Sequence, residues 1–208
     1  MTPAKRLFDI SLALVLTALL AVPFALLLLV LLVSEGRPLF YVADRIRTPG
    51  HPFPLWKLRT MRAAPLNSGV SGGDKAGRIS PMGHFLRKTR FDEIPQLWNV
   101  LRGDMSFVGP RPPLPIYVAR FPELYAEVLK SRPGITGLAT LYFHAREERL
   151  LAPCRTAEET DAVYMRRCVP RKAHLDLIYQ RNRTLCLDLV LLGQTLGRVL
   201  FRPFRRQG

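Results

Sequence analysis

The pattern of hydrophobic and polar positions is dominated by an uncharged apolar run near the start of the chain. Ile10 to Val33 are 24 consecutive residues without a charge, interrupted by only two hydroxyls, those of Ser11 and Thr17. As a helix this run would be about 36 Å long, enough to cross a hydrocarbon core of about 30 Å. A signal peptide has an apolar region of only about 7–15 residues and a cleavage site after it, and no convincing site follows here. The run therefore predicts a helix inserted in a membrane.

Shorter patterns beyond the run predict a mostly helical domain with short β pieces, an α+β fold. Apolar residues spaced three and four apart, Ile94, Leu97, Trp98 and Leu101, predict an amphipathic helix that Gly103 ends. Further helices are predicted at 83–90, 115–130, 158–168 and 173–181, extended pieces at 39–42 and 54–58, and a mobile loop, a candidate lid, at 62–77.

A last helix is predicted at 185–201, apolar except for Asp188, Gln194 and Arg198, and an arginine-rich tail follows it. Such a helix suits a bilayer surface, and it suits a core helix with a solvated basic tail equally well. The chain is thus divided into a membrane helix at 1–35, a cytoplasmic catalytic domain at 36–184, and an interfacial helix with a basic tail at 185–208.

Basic residues flank the apolar run on both sides, with Lys5 and Arg6 before it and Arg37 and Arg45 after it. Because basic flanks favour the cytoplasm, a straight span would place one of them on the wrong side. Pro23, near the middle of the run, removes a helix hydrogen bond, so a re-entrant helix that enters and leaves by one face would satisfy both flanks. From these residues alone, a re-entrant helix and an ordinary kinked span are equally supported.

The net charge limits the classes of binding partner but does not identify one. The net charge is +15, of which residues 1–33 carry +1 and the remaining 175 residues carry +14. A basic domain beside a membrane anchor suits anionic lipids, phosphorylated substrates or nucleic acid, but no stacked-aromatic or helix-turn-helix pattern supports nucleic acid. The three cysteines are odd in number and form no CxxC pair, which fits a reducing cytosol and argues against a disulfide framework or a zinc site.

The densest polar stretch places Asp92 and Glu93 at the start of the amphipathic helix, beside Arg87, Lys88 and Arg90. One interpretation is structural, because acidic residues at a helix N-terminus cap it and complement its dipole. The other is chemical. Adjacent carboxylates among cations can hold Mg²⁺ together with a phosphate, and a carboxylate can act as a nucleophile in phosphoryl transfer.

Further candidate phosphate ligands lie in other parts of the chain. Arg111 stands between two prolines, which biases it to extended geometry and places its side chain to clamp a phosphate. Lys57, Arg59 and Arg132 supply additional cations. The four histidines are scattered, and the sequence contains no HExxH, GxGxxG or Walker motif.

Together these segments resemble a known family. The motifs are KRLFD at 5–9, KLRTM at 57–61, LRKTRFDEIPQLWNVLRGDMSFVGPRP at 86–112 and RPGITG at 132–137. They closely resemble those of the bacterial sugar transferase family, the small monotopic phosphoglycosyl transferases, and the resemblance runs from about residue 3 to residue 200.

The resemblance implies a reaction in which a sugar-1-phosphate moves from a UDP-sugar to a polyprenyl phosphate, usually undecaprenyl phosphate, releasing UMP. By resemblance Asp92 is the nucleophile, Glu93 assists it, and both are candidate Mg²⁺ ligands. The family's phosphate-binding cations match Lys57, Arg87 and Arg111.

The resemblance also implies a location. The family's anchor is a re-entrant helix broken at a proline that matches Pro23, and it lies in the cytoplasmic leaflet of the bacterial inner membrane. The expected partners are therefore a UDP-sugar, a polyprenyl phosphate and membrane lipids, without nucleic acid, and a homodimer is a possible assembly.

Two departures from the family pattern accompany the match. The family commonly continues after RPGITG with Ala-Gln and then Gly-Arg, whereas this chain has Thr140 in place of the glutamine and lacks the Gly-Arg. Residues 138–170 are therefore expected to be a variant segment with altered nucleotide or sugar contacts. In addition, Val22 precedes Pro23 where the family often has serine. A catalytically dead scaffold is the alternative function, and the complete dyad with its cations argues against it.

Overall fold

The computed structural model describes residues 1–62 and 69–201, and it is mostly helical with a few short strands, as the α+β prediction expected. The helices are α1 (Pro3–Glu35), α2 (Pro81–Thr89), α3 (Gln96–Arg102), α4 (Pro115–Arg120), α5 (Pro122–Val128), α6 (Leu138–Leu151), α7 (Ala157–Val163), α8 (Val169–Asn182) and α9 (Leu185–Phe201). The strands are β1 (Phe40–Thr48), β2 (His51–Leu58), β3 (Ser106–Val108) and β4 (Gly134–Thr136). Short 3₁₀ turns lie at Gly73–Arg78 and Phe91–Glu93, and a π-helical turn at Tyr164–Cys168 joins α7 to α8.

Helix α1 begins and ends at residues suited to those positions. The Thr2 hydroxyl accepts a hydrogen bond from the backbone N–H of Lys5 (3.3 Å), and a proline occupies the first turn. The helix continues through Pro23 and ends at Gly36, whose φ of 68° favours glycine. Among the described residues it is the one helix long and apolar enough to cross a membrane, and its most apolar window is only 6 % buried. The predicted long apolar helix is therefore present, and its insertion in a membrane and its re-entrant course stay predictions.

The N-terminal end of α1 is fixed to the rest of the protein by charged groups. Lys5 Nζ lies 2.8 Å from Asp9 Oδ1 and 2.9 Å from Asp188 Oδ2 at the start of α9. The Tyr179 hydroxyl of α8 donates to the other oxygen of Asp188 (2.7 Å). The Arg6 guanidinium donates to two backbone carbonyls in the last turn of α3, at 2.6 and 2.7 Å. A buried ion-pair network thus joins the first helix to the last.

The C-terminal end of α1 contacts the same body of the protein. Arg59, just after β2, donates to the backbone carbonyl of Glu35 at 2.9 Å and so satisfies an unpaired group at the helix end. Leu31 is buried against Leu58 and Leu86. Both ends of the 33-residue helix therefore lie on one domain.

The three predicted segments of the chain share one hydrophobic core. Ala13 from α1, Leu97 and Val100 from α3, and Leu191 from α9 belong to the same buried cluster. A second cluster lies among α4, α5, α6, α7 and α8, around Tyr117. The boundaries at 35 and 184 stay predictions, but these segments do not have separate cores.

Strands β1 and β2 form an antiparallel hairpin that turns at Gly50, which has a φ of 77°. The hairpin is longer than the pieces predicted at 39–42 and 54–58. Its central part is rich in charged residues and shows no clear alternation, so cross-strand pairing defines it rather than a hydrophobic pattern. Pairing places Lys57 opposite Tyr41, and Lys57 is one of the predicted phosphate ligands.

A close crossing of two backbones positions the proline turn at 110–113. Strands β3 and β4 pair in parallel, and a Cβ placed on Gly109 would lie only 2.1 Å from the carbonyl oxygen of Arg132. A Cβ on Gly137 would lie 2.2 Å from the Gly109 carbonyl oxygen. Only glycine fits at these positions, so the RPGITG and GPRP motifs form the two sides of one backbone contact.

The segment predicted as a mobile loop at 62–77 lies partly outside the described residues, at 63–68. Its second half is packed rather than loose. The 3₁₀ turn at Gly73–Arg78 lies against the end of α6, where a Cβ on Gly73 would come within 2.2 Å of the Ala152 carbonyl oxygen. Lys75 is buried and donates to two backbone carbonyls of its own segment. Gly73, one of the glycines that suggested mobility in the sequence, permits close contact instead.

Several helix predictions need correction. The stretch predicted as one helix at 115–130 is two, because Pro122 lacks a backbone N–H and begins a new helix. Helix α6 was not predicted at all. By contrast, α9 has the predicted bounds. One face of this helix packs against the core and the other is exposed, so the core-helix and the surface-helix interpretations each describe one face. Leu191 is buried in the core, while Leu189 and Leu196 are more than half exposed.

Candidate active site

A single left-handed residue creates the turn that carries the two candidate carboxylates. Helix α2 ends at Arg90, whose φ of 60° makes it the one non-glycine residue with positive φ in the described part of the chain. Such a conformation is uncommon for a side-chain-bearing residue and tends to occur at functional sites. The chain then forms the 3₁₀ turn Phe91–Glu93, called here the acidic turn. Asp92 is 8 % exposed and Glu93 7 % exposed, so both carboxylates are nearly buried.

Glu93 is surrounded by three cations. Its Oε1 lies 3.2 Å from Lys57 Nζ and 2.9 Å from Arg111 Nη2, and its Oε2 lies 3.1 Å from Arg90 Nη1. Burial alone would raise the pKa of Glu93, but the charges of Lys57, Arg111 and Arg90 lower it well below its usual range. Both oxygens of this carboxylate are therefore engaged, and Glu93 is ionised at neutral pH.

Asp92 has a different environment from its neighbour. Burial raises the pKa of Asp92 above its ordinary value, against the opposing effect of Lys57, with Glu93 raising it further. Within residues 1–62 and 69–201, no hydrogen bond or ion pair ends on its carboxylate. The two adjacent acids thus have pKa values moved in opposite directions, an arrangement typical of catalytic pairs.

Three of the predicted phosphate ligands converge on the acidic turn. Lys57 and Arg111 contact Glu93 directly, and burial lowers the pKa of Lys57 to about 8. Arg87 is held by the Thr60 hydroxyl at 2.9 Å, and its pKa responds to the charges of Asp92 and Arg111. The site therefore combines one uncommitted carboxylate with a group of oriented cations, which suits a phosphorylated ligand.

The other two predicted phosphate ligands lie elsewhere. The Arg59 guanidinium donates to the carbonyls of Glu35 and Gly36 at the end of α1. Arg132 lies beside Gly103 and near Arg6, at the N-terminal end of the anchor helix. Neither contacts the acidic turn, and Arg59 instead holds the end of α1.

Sequence reasoning passed over two residues that shape the site. Arg90 was noted only as a flanking cation, and its left-handed backbone carried no sequence signal. Arg45 of β1 donates to the Pro112 carbonyl at 3.3 Å, while the N–H of Ile46 donates to the Pro113 carbonyl at 3.1 Å. Strand β1 thus holds the proline turn that carries Arg111. The register of the hairpin, which a single sequence does not reveal, brings these residues together.

The variant segment at 138–170 also reaches the neighbourhood of the site through α6. Partial burial and the charges of Arg111 and Arg90 lower the pKa of His144, whose side chain is 50 % exposed, and the pKa of Arg87 responds to Glu148. His144 lies 3.5 Å from Glu148 on the same helix. The family departure therefore lies on a helix close to the cations, and the change in ligand contacts stays a prediction.

The predicted Mg²⁺ site would have few protein ligands. Within the described ranges, no cluster of three or more acidic, histidine or cysteine side chains could hold a metal ion by itself. Mg²⁺ commonly takes only one or two protein carboxylates together with substrate phosphate oxygens. Asp92 fits such a role, whereas Glu93 already has both oxygens in ion pairs.

The chain is similar to known proteins over most of its length. Residues 1–202 match the family model described as bacterial sugar transferase. A putative undecaprenyl-phosphate N-acetylgalactosaminyl 1-phosphate transferase of Bacillus subtilis is 39 % identical over 56 % of this chain and 66 % of the relative. The uncharacterized sugar transferase EpsL of the same organism is 34 % identical over 94 % of this chain and 87 % of the relative. A UDP-glucose:undecaprenyl-phosphate glucose-1-phosphate transferase of Caulobacter vibrioides is 41 % identical over 65 % of this chain and 52 % of the relative.

These matches differ in how much of each relative they cover. The chain spans about two thirds of the first relative, most of the second and about half of the third. The family model, by contrast, covers nearly the whole of this chain, including the anchor helix and the acidic turn. The chain belongs to the bacterial sugar transferase family.

Proposed function

We propose that this protein transfers a sugar-1-phosphate from a UDP-sugar to a polyprenyl phosphate, releasing UMP and starting the assembly of a polysaccharide or glycoconjugate. Relatives are named for transfers of this kind onto undecaprenyl phosphate. The observation that carries the proposal is the unequal pair in the acidic turn, where Glu93 is fully engaged by cations and Asp92 is not.

The chemistry divides into two displacements at phosphorus. An Asp92 oxygen attacks the β-phosphorus of the UDP-sugar, and the bond from that phosphorus to the bridging oxygen breaks, so that UMP leaves with the electron pair. A phosphate oxygen of the lipid then attacks the same phosphorus, and the Asp92 carboxylate departs as the sugar–diphosphate–lipid forms. Lys57, Arg87 and Arg111 orient the phosphates, and Glu93 keeps Lys57 and Arg111 in place.

We propose Mg²⁺ as the cofactor of this reaction. Asp92 is the candidate protein ligand, with the substrate diphosphate supplying further oxygens, and the ion would neutralise the charge of the diphosphate. Glu93 acts on the cations rather than on the metal, because its two oxygens are engaged by Lys57, Arg111 and Arg90.

The test is an assay of UMP release with a panel of UDP-sugars, with and without Mg²⁺. We expect one UDP-sugar to give a burst of UMP, about one per protein, before any lipid acceptor is added. Mass spectrometry should then find the sugar phosphate on Asp92. A burst with no adduct on Asp92 would refute the covalent mechanism, and no UMP release from the whole panel would refute the transferase itself.

The same proposal includes a re-entrant anchor at the cytoplasmic face of the bacterial inner membrane. It is supported by the docking of both ends of α1 on one domain, Arg6 and Lys5 at one end and the Glu35 carbonyl at the other. A straight span would separate these ends by a hydrocarbon core of about 30 Å. Such an anchor keeps Asp92 where a soluble nucleotide sugar and a membrane lipid can both reach it. A homodimer stays a prediction.

Cysteine labelling tests the anchor. In a Cys186→Ser background, which removes the one exposed native thiol of the described residues, we expect Ala4→Cys and Asp44→Cys to label alike. Both should be protected from a membrane-impermeant maleimide in spheroplasts and labelled in inverted vesicles. Labelling of the two positions from opposite sides would restore the straight span.

A further inference from the structure

Arg45 of β1 is a further cation beside the candidate active site. Tyr41 and Arg45 are four residues apart on β1, so their side chains leave the same face of the hairpin. Lys57 is paired directly with Tyr41 across the hairpin and shares that face. Arg45 Nη1 donates to the carbonyl of Pro112, the residue after Arg111, at 3.3 Å. The charge of Arg45 therefore lies near the charges of Lys57 and Arg111.

The described part of the chain does not balance the positive charge of Arg45. Its Nε is buried and has no hydrogen-bond partner among the described residues. No ion pair within residues 1–62 and 69–201 includes Arg45. Glu93, the ionised carboxylate of the acidic turn, is already shared by three other cations. Burial and the charge of Arg111 lower the pKa of Arg45 to about 10, so it is still a cation at neutral pH.

An unpaired buried donor on a charged group destabilises a folded protein. Proteins keep such groups mainly where a function requires them. The hydrogen bond to the Pro112 carbonyl does not account for the charge, because a neutral donor could hold that carbonyl as well. A bound anion would supply the partner that Arg45 lacks, and a guanidinium is the side chain best suited to a phosphate.

We propose that Arg45 binds the α-phosphate of the UDP-sugar, the phosphate that leaves as part of UMP. The assignment rests on the proposed function and adds a substrate-binding residue to it. With the β-phosphate at Asp92, the α-phosphate lies one bridging oxygen farther away. Lys57 and Arg111 contact the acidic turn, whereas Arg45 contacts the residue that follows Arg111. Arg45 is therefore placed for the phosphate next to the one that is attacked.

In this position Arg45 also acts on the leaving group. As the bond from the β-phosphorus to the bridging oxygen breaks, the electron pair passes to the UMP phosphate. A guanidinium bound to that phosphate stabilises the negative charge as it develops. Loss of Arg45 is therefore expected to weaken the binding of UMP and to slow the first displacement.

Binding of UMP and of uridine to the full chain in nanodiscs, with Mg²⁺ present, tests the assignment, because the two ligands differ only by the phosphate. We expect Arg45→Gln to weaken the affinity for UMP about tenfold, as for a lost hydrogen bond between charged groups. The affinity for uridine should change less than about twofold. Equal UMP affinity in wild type and Arg45→Gln would overturn the assignment.

Arg47→Gln is the matched control. Arg47 lies two residues farther along β1 and is also partly buried, and its charge acts on Arg132. The substitution removes the same charge from the same strand, so it shows whether a general change of electrostatic potential is sufficient. We expect it to leave the affinities for UMP and uridine unchanged. A loss of UMP affinity as large as that of Arg45→Gln would overturn the assignment.

A purely structural role, in which Arg45 only holds the proline turn, predicts different results. Arg45→Gln would then have no effect on UMP affinity once Arg111 is already glutamine. We expect instead a similar loss in both backgrounds, and an unchanged or higher Tm without ligand, because an unpaired buried charge is removed. Disappearance of the loss in the Arg111→Gln background would overturn the assignment. So would a lower Tm accompanied by equal losses of UMP and uridine affinity.

The lipid phosphate is the other phosphate of the proposed reaction. If Arg45→Gln binds UMP like wild type but has a raised KM for polyprenyl phosphate, Arg45 serves the acceptor and the nucleotide assignment fails. These results are separable from a failure of the proposed function. If wild type releases UMP from a UDP-sugar while Arg45→Gln binds UMP unchanged, the assignment fails and the transferase stands. If wild type releases no UMP from the whole panel, the transferase fails together with this assignment.

Discussion

Asp92→Asn is expected to abolish sugar-phosphate transfer, lowering kcat at least about a thousandfold, because removal of a covalent nucleophile typically has effects of this size or larger. The UMP burst in the absence of acceptor should disappear as well. The amide occupies nearly the same volume but cannot form the phosphosugar ester. Turnover is measured as UMP released from the cognate UDP-sugar.

The same variant should not lose stability. Burial disfavours the ionised form of Asp92, so replacing it with a neutral amide is expected to leave the melting temperature unchanged or higher. Asp44→Asn, at an exposed position of β1, is the matched control and should retain wild-type turnover. Full turnover of Asp92→Asn would mean that the covalent mechanism is wrong.

Unlike Asp92→Asn, Glu93→Gln is expected to cause a large loss of stability. It leaves Lys57, Arg90 and Arg111 around a neutral amide, and removing one partner of a buried ion pair costs about 3–5 kcal/mol. Since the cations are partly exposed, about 2–4 kcal/mol is expected, which lowers the apparent Tm by about 4–16 °C. Turnover should fall too, because the released cations no longer hold their positions.

The pH dependence identifies the cause. The folded-state pKa of Glu93 is lowered from its ordinary value of 4.5, so its stabilising effect is complete above that pH and is lost as the pH falls through the folded-state value. The Tm difference between wild type and Glu93→Gln should therefore shrink below pH 4.5. Glu127→Gln, which removes an exposed ion pair with Lys130, should change the Tm little at any pH. A constant Tm difference at all pH values would argue against the ion-pair explanation.

Local chemistry made some elements predictable from sequence. The apolar run, the spacing of Ile94, Leu97 and Leu101, and the glycine at 103 are signals that act within one helix, and the structure has helices there. Helix α6 lacks such a signal, because its polar and apolar residues do not separate into faces. It begins where Gly137 contacts Gly109, and Phe143 and Leu151 pack it into the second hydrophobic cluster.

The candidate site, too, was only partly predictable from the sequence. Motif resemblance was enough to choose Lys57, Arg87 and Arg111, and the structure brings them to the acidic turn. The structure places Arg59 and Arg132 away from the acidic turn, which the sequence does not reveal, since cations next to a motif look alike until their partners are known. That any of these five cations binds phosphate stays a prediction.

The resemblance did give the two adjacent acids different roles, with Asp92 as the nucleophile and Glu93 assisting it. The physical difference between them depends on which cations approach from other strands and turns, and a single sequence does not show that.

The buried pairing of Lys5 with Asp188 has a consequence for how the protein is made. Lys5 is synthesised 183 residues before Asp188, so the pair cannot form until α9 has been made. Until then Lys5 has only Asp9, one helical turn away, to neutralise it. The contact between α1 and α9 therefore forms after the partners of Arg6 and Leu31 in the intervening residues have been made. A polypeptide that ends before α9 would keep those contacts of α1 and would lack its ion pair with Asp188.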